Sequence, residues 1–191
     1  MDHRQQYRQA QLDLVEVVKG LTDADLDRPT VCTEWTVRGV LRHLIENCYR
    51  GVADANGEEY DGNADPRLDN DPREEFPKAA DAAWKVNQDE DRLHEIIDFA
   101  GMEQPAAVRL AFNFTDVLIH IWDIRRALGR PVALRPELVA EAIKVSELVP
   151  EGDEFRGPGK PFGHIVAIDS TEPQDKLLSL VGRDPAWAPA A

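Results

Sequence analysis

Apolar residues recur every three or four positions along most of the chain, which is the pattern of amphipathic helices. The first such segment covers residues 2–20 and ends at Gly20, and a second begins after Thr36, a good helix N-cap. Similar patterns predict further helices over residues 78–99, 106–128, 136–149 and 171–181. Apart from a short strand or extended run at 165–168, nothing indicates a ladder of strands. The expected fold class is all-α: a bundle of four main helices with additional short C-terminal helices.

Two stretches interrupt the helical pattern and indicate how the chain is organised. Residues 54–77 are rich in glycine, asparagine, proline and acidic side chains, which predicts a long exposed loop, with a mobile lid over 54–75 as the alternative. Residues 151–162 are rich in glycine, proline and charge. We therefore expect a helical bundle over residues 1–150 and an extension over 151–191 that packs on it, as a single domain.

Composition narrows the classes of partner. The chain has 191 residues with 22 basic and 36 acidic side chains, a formal net charge of −14. Such a charge repels phosphate groups, so we expect no nucleic-acid or membrane partner. The charged N-terminus is unlike a secretory signal, and two cysteines make no disulfide framework, which predicts a cytoplasmic protein with reduced thiols. Helical bundles often pair, so a homodimer is a further expectation.

A polar stripe crosses the otherwise apolar helix predicted over residues 106–128. Asn113, Asp116, His120 and Asp123 follow one another at spacings of three, four and three, so they share one helix face. Asp116 and His120, one turn apart, can point two ligand atoms at one metal ion, and His43 on the second helix is the candidate third ligand. Imidazole and carboxylate ligands suit Zn²⁺, Ni²⁺ or Fe²⁺.

Other interpretations of the same residues remain open at this point. Asp116 and His120 could form a hydrogen-bonded pair inside a bundle that holds no metal. Asn113 and Asp123 could orient the ligands or could join helices by hydrogen bonds. Cys32, in the loop before the second helix, is expected to be a packing residue, with a reactive thiol near the site as the alternative. With three protein ligands, a metal would keep a position for water or a substrate atom, as catalytic sites do.

Three motifs carry a resemblance to a known family. The segment CTEWTVRGVLRHL, from Cys32 to Leu44, resembles the signature of the DinB-like, mycothiol-dependent maleylpyruvate isomerase N-terminal superfamily. The segment DVLIHIWDI, from Asp116 to Ile124, resembles its second motif. The ending LLSLVGRDPAW, from Leu177 to Trp187, is similar to that of an actinobacterial-type subfamily of small DinB-like metal-binding proteins.

The resemblance implies a DinB-like four-helix bundle with a metal site at one end. The ligand positions of the family fall on His43, Asp116 and His120, and the implied cofactors are a divalent metal, Zn or Ni first, and mycothiol or a similar low-molecular-weight thiol. The implied activity is that of a thiol-dependent S-transferase acting on small electrophiles, with metal-bound water as a hydrolytic variant. A non-catalytic module that binds a metal or a small ligand is the alternative.

The sequence differs from that of the isomerase in two respects, and it also offers three arginines as candidate anion-binding residues. Asp116 stands where the isomerase has a glutamate, and segment 151–191 is shorter than the isomerase's C-terminal domain, which disfavours isomerase activity. Arg42, Arg125 and Arg126 flank the ligand-bearing segments. They are candidates for binding carboxylates of a thiol cofactor or an acidic substrate. Surface salt bridges are the alternative for these arginines.

Overall fold

Seven α-helices and one β-hairpin are formed by the residues that the computed structural model describes, 2–99 and 101–189. The helices are α1 (His3–Val18), α2 (Asp23–Leu26), α3 (Val37–Asn56), α4 (Pro72–Val86), α5 (Ala106–Ala127), α6 (Pro136–Ser146) and α7 (Pro173–Leu180). The strands are β1 (Ile96–Phe99) and β2 (Met102–Pro105). None of the described helices combines the length and apolarity needed to cross a membrane.

Four of these helices form the bundle. Helix α1 packs against α4 and α5, and α3 packs against the same two helices from the other side, so the four surround one apolar core. Helix α5 lies at the centre of the molecule, because α6 packs on it and α7 then packs on α6. The predicted all-α four-helix bundle with short C-terminal helices is confirmed.

Helix α3 begins where the sequence predicts and extends further than predicted. Thr36 is its N-cap, and the Thr36 hydroxyl accepts a hydrogen bond from the Gly39 backbone N–H at 3.4 Å. The helix continues to Asn56 and ends at Gly57, which has a φ of 70°. Its apolar face lies in the core, as does the thiol of Cys48.

The region between α3 and α5 corrects two predictions. The loop predicted over 54–77 holds the last turn of α3, a 3₁₀ turn at Pro66–Asp69 and the start of α4 at Pro72. The helix predicted over 78–99 is α4, and it ends at Val86. Proline is well tolerated at the first helical position, so α4 begins at Pro72, and it also contains Pro77; two of the prolines that suggested a loop therefore lie in the helix.

A β-hairpin replaces the end of the predicted third helix and contradicts the expectation that the chain has no strand ladder. Strand β1 pairs antiparallel with β2, with Ile96 opposite Pro105 and Phe99 opposite Met102. The β-branched and aromatic residues of β1 favour a strand, and Gly101, with a φ of 79°, supplies the turn. The extended run predicted at 165–168 forms no strand; there, Val166 exchanges hydrogen bonds with Ser179 of α7.

The C-terminal segment is held against the bundle by apolar and polar contacts. Leu177, Leu178 and Val181 are buried in the common core. The buried Arg156 guanidinium donates to backbone carbonyls of Val149, Pro150, Gly163 and Leu180. These bonds, together with backbone hydrogen bonds within the segment, fix the irregular chain between α6 and α7.

Candidate metal centre

The packing of α3 beside α5 brings two of the three predicted ligands into contact. His43 lies on α3 and Asp116 on α5, and the Nε2 atom of His43 is 3.1 Å from Oδ2 of Asp116. Each side chain is about one-third exposed, 29% for His43 and 33% for Asp116. This side of the cluster is therefore open to a small molecule.

The third predicted ligand, His120, forms the closed side of the cluster. Its Nε2 atom is 3.3 Å from Oδ1 of Asp116, one helical turn earlier, and its side chain is only 3% exposed. Its Nδ1 atom is 2.8 Å from the carboxylate of Asp123, which is fully buried. Because an ionised carboxylate only accepts hydrogen bonds, Nδ1 carries the proton and donates to Asp123. The Nε2 atom of His120 therefore faces Asp116.

The donor set fits a divalent transition metal. Two imidazoles and one carboxylate each offer one ligand atom, and the three atoms lie within 4.8 Å of one another. In a tetrahedral zinc site, bonds of about 2.0–2.1 Å place neighbouring ligand atoms about 3.3 Å apart. Asp116 contacts each histidine through a different oxygen, with Oδ2 at 3.1 Å from His43 Nε2 and Oδ1 at 3.3 Å from His120 Nε2, and each of these distances is similar to that spacing. A carboxylate on His120 Nδ1 is the usual support of a zinc-bound histidine.

Two further residues, Asn47 and Trp35, contact the cluster. The Asn47 amide donates to Oδ2 of Asp116 at 3.2 Å, and its nitrogen is 3.1 Å from His43 Nε2. The Trp35 ring lies over His43, with centroids 4.7 Å apart, and 5.9 Å from the His120 ring. The spacing of the sequence could have identified Asn47 as a neighbour of His43, since it follows His43 by one helical turn. The contact of Trp35 with His43 depends on the fold of the loop before α3, which the spacing does not predict. Asn113, of the polar stripe, is half-buried one turn before Asp116.

The charges of the cluster are strongly coupled. Burial alone would raise the pKa of Asp116, but the adjacent His43 and His120 outweigh it and hold that pKa well below its usual range. Burial alone would lower the pKa of His120, and the carboxylates of Asp116 and Asp123 outweigh it and raise that pKa. The carboxylate of Asp116 is therefore ionised and stabilises positive charge at the centre.

A second group of potential ligands lies on the far side of His120. Cys32, His120 and Asp123 also offer ligand atoms within 4.8 Å of one another. However, Nη2 of Arg183 lies 3.0 Å from both the Cys32 sulfur and Oδ2 of Asp123. This guanidinium already supplies a positive charge there, so the site of His43, Asp116 and His120 is the better one for a metal cation.

Two of the three arginines predicted to bind anions, Arg42 and Arg126, have other contacts among the described residues. Arg42 is exposed on α3 and lies 3.5 Å from Asp69. Arg126 donates from Nε to the backbone carbonyl of Trp187 at 3.0 Å. Arg125 is half-buried in the last turn of α5. None of these contacts involves the three predicted ligands, and anion binding by the arginines stays a prediction.

The chain is similar in sequence to one protein family and to two mycobacterial proteins. The sequence profile of the mycothiol maleylpyruvate isomerase N-terminal domain family matches residues 7–125, which include all three predicted ligands. Two similar relatives are uncharacterized proteins of Mycobacterium tuberculosis, from strains CDC 1551 and H37Rv. Each is 28% identical over 197 residues, covering 96% of this chain and 98% of the relative. No solved structure gives a significant match.

Proposed function

Because the chain belongs to the mycothiol maleylpyruvate isomerase N-terminal domain family, a DinB-like family, we propose that it is a metal-dependent, thiol-using S-transferase of the cytoplasm. The observation that carries the proposal is the cluster of His43, Asp116 and His120, whose ligand atoms converge from two helices. The metal is divalent, Zn²⁺ or Ni²⁺, and the thiol is mycothiol or a similar small thiol. The second substrate is a small electrophile.

Each residue of the centre has a distinct role in this proposal. His43, Asp116 and His120 would hold the metal, and Asp123 fixes the ring of His120. When bound, the metal supplies positive charge that lowers the pKa of the incoming thiol, so that it reacts as a thiolate near neutral pH. Asp116 and His43 border the exposed side, where the thiol enters. The Trp35 ring covers one side of His43 and limits access of water to it.

The proposed reaction is a nucleophilic substitution at an electrophilic carbon. A bond forms between the thiol sulfur and that carbon, while the bond to the leaving group breaks and the leaving group departs with the electron pair. The proton of the thiol passes to solvent at the exposed side of His43 and Asp116. No oxidant or reductant is consumed.

A transfer assay with metal-loaded protein tests the proposal. Mycothiol and a chlorobimane give a fluorescent thioether, and we expect the metal-loaded protein to accelerate its formation. Asp116→Asn keeps the size of the side chain but loses its charge, so its rate is expected to fall by at least about 100-fold. Asn113→Ala, on the same helix face, is the matched control and should keep its rate.

Two results of this assay would contradict the proposal. Equal rates for the wild-type protein and Asp116→Asn would show that the centre takes no part in the reaction. Metal binding without transfer, across mycothiol, bacillithiol and glutathione and several electrophiles, would instead identify a non-catalytic metal-binding module.

The arginines belong to the proposal as residues that bind the charged parts of the substrates. Arg42 is the nearest along the chain to a ligand, since it precedes His43, and its pair with exposed Asp69 would be easily exchanged for a carboxylate of the thiol or the electrophile. Arg42→Gln should then raise KM for that substrate and leave kcat nearly unchanged. The same test applies to Arg125 and Arg126, and unchanged KM values in their variants would show that these arginines do not bind the substrates.

A further inference from the structure

We propose that Arg183, in the turn after α7, is a positioning residue of the metal centre, which it controls through Asp123 and His120. This inference rests on the proposed metal site. It adds a component from the C-terminal segment, since the family match ends at residue 125 and Arg183 lies outside it.

A continuous chain of contacts links Arg183 to the centre. Its Nη2 atom donates to Oδ2 of Asp123 at 3.0 Å, and its Nε atom is 3.4 Å from Oδ1, so both carboxylate oxygens contact the guanidinium. Oδ2 of Asp123 also accepts from Nδ1 of His120 at 2.8 Å. Bidentate pairs of this kind fix both distance and orientation. The position of Arg183 therefore sets the orientation of the His120 ring.

The charge balance of the loaded site explains why an arginine is needed. A histidine that binds a metal through Nε2 is a neutral imidazole, so His120 could not neutralise Asp123. Asp123 is fully buried, and an unpaired buried carboxylate is very unfavourable. Arg183 is the cation in contact with Asp123 among the described residues, and its own side chain is 13% exposed. It allows Asp123 to stay ionised beside a neutral His120.

The local backbone aims Arg183 at Asp123. Helix α7 ends with two reverse hydrogen bonds, from Gly182 N–H to the Ser179 carbonyl and from Arg183 N–H to the Leu178 carbonyl, which form a Schellman motif. Gly182 has a φ of 80° and lies against the backbone of Gly163, where an added Cβ would be 2.5 Å from Gly163 Cα. This close crossing turns the chain inward, and the next residue is Arg183.

Metal affinity in matched variants separates positioning from simple folding support. Arg183→Gln removes the cation at Asp123, and Arg156→Gln is the control, since Arg156 is a buried arginine of the same segment that donates to backbone carbonyls. We would measure Zn²⁺ affinity by chelator competition, the visible spectrum of the Co²⁺ form, and Tm without metal. Arg183→Gln should weaken Zn²⁺ binding about 10–100-fold and change the Co²⁺ spectrum.

The control and a rescue variant complete the experiment. Arg156→Gln should lower Tm and keep Zn²⁺ affinity within about twofold of the wild type, whereas Arg183→Lys, which keeps the charge but not the bidentate contact, should be intermediate. If Arg183→Gln does not fold, the Zn²⁺ affinity of Arg183→Lys tests the positioning role in its place. Adding Arg183→Gln to Asp123→Asn should weaken binding no further, because Arg183 acts through Asp123.

Each opposing outcome has a clear meaning. Wild-type affinity in folded Arg183→Gln and Arg183→Lys would overturn the positioning role while leaving the metal site intact. Equal losses of affinity in the Arg183 and Arg156 variants would overturn it as well, since they would indicate general support of the fold. Absence of Zn²⁺ and Co²⁺ binding in the wild-type protein would overturn the proposed function, and the inference with it.

Discussion

At the scale of single residues, the pKa of the Cys32 thiol indicates whether this cysteine can act as the nucleophile of the proposed transfer. Burial, and then the charge of Asp123, raise the pKa of Cys32 to about 12, and Arg183 offsets this only in part. The Cys32 thiol is therefore protonated near neutral pH, and a protonated thiol is a poor nucleophile. In the proposed transfer, the reacting thiol is therefore that of a bound small molecule rather than that of Cys32.

Replacement of Cys32 tests this conclusion. The Cys32 thiol donates to Oδ2 of Asp123 at 3.5 Å. Because a serine hydroxyl can make the same hydrogen bond, we expect Cys32→Ser to keep the transfer rate of the metal-loaded protein within about threefold. The measurement is the chlorobimane assay at saturating mycothiol, together with metal content. A loss of activity in a variant that still holds its metal would show that Cys32 takes part in the chemistry.

The sequence predicts residues of the centre where local spacing brings them together, and misses them where tertiary packing does. Asp116 and His120 share a face because they are one helical turn apart, which is readable from the sequence alone. Arg183 reaches Asp123 across a sequence separation of 60 residues, through a turn whose direction depends on Gly163 and Gly182. No local pattern encodes that approach.

At the scale of elements, a buried polar network joins α3 to α4. Glu75 is 2% exposed, and its carboxylate accepts from the hydroxyl of Tyr49 at 2.5 Å and from the amide of Asn70 at 2.9 Å. Burial alone would raise the pKa of Glu75, but these hydrogen bonds and Lys78 outweigh it and lower that pKa. The ionised carboxylate therefore stabilises the contact between the two helices.

The pH dependence of unfolding should reveal this network. A carboxylate whose pKa is lower in the folded state adds stability above its unfolded pKa, about 4.3, and loses it as the pH falls below that value. Glu75→Gln should therefore cost about 1–3 kcal/mol at pH 7, and the difference from the wild type should shrink at about pH 3.5. Urea unfolding at both pH values measures the free energy of unfolding of the wild type and of Glu75→Gln. Substitution of the exposed Glu74, Glu74→Gln, is the control. A difference independent of pH would contradict the account.

The turn after α7 should be more sensitive to substitution than the turn after α3. Gly57 and Gly182 both have positive φ, but an added Cβ meets open space at Gly57 and the Gly163 backbone at Gly182. Gly57→Ala should cost about 1–2 kcal/mol for the left-handed conformation alone. Gly182→Ala should cost at least about twice as much, because the backbones must also separate. Equal losses of unfolding free energy in the two variants would contradict the close approach of the Gly163 and Gly182 backbones.

Element boundaries show the limit of periodic patterns. The long apolar helix α5 is predicted to within a residue or two, since nothing competes with its periodicity. The Ile-Ile-Asp-Phe segment of β1 fits either a helix or a strand, and its pairing with β2 decides for the strand. The prolines of α4 suggested a loop, yet Pro72 is at the helix start.

At the scale of the whole molecule, the candidate centre brings together side chains from segments that are far apart in the sequence. Helices α3 and α5 supply the three predicted ligands, the loop before α3 supplies Trp35 and Cys32, and the C-terminal segment supplies Arg183. The all-α bundle follows from hydrophobic periodicity, whereas the docking of the last segment follows from contacts that no single element encodes. The matched family region and the segment beyond it thus meet in one group of contacting side chains, His120, Asp123 and Arg183.

Metal stoichiometry tests the central claim most directly. The wild-type protein, Asp116→Asn and the control Asn113→Ala would be loaded with Zn²⁺ and, in a parallel series, with Ni²⁺, freed of excess metal by gel filtration, and subjected to elemental analysis. The account predicts about one equivalent of zinc in the wild type and in Asn113→Ala, and far less in Asp116→Asn, which loses the ionised oxygen ligand. Absence of stoichiometric zinc and nickel from the folded wild-type protein, or equal zinc in Asp116→Asn, would contradict a metal centre at His43, Asp116 and His120.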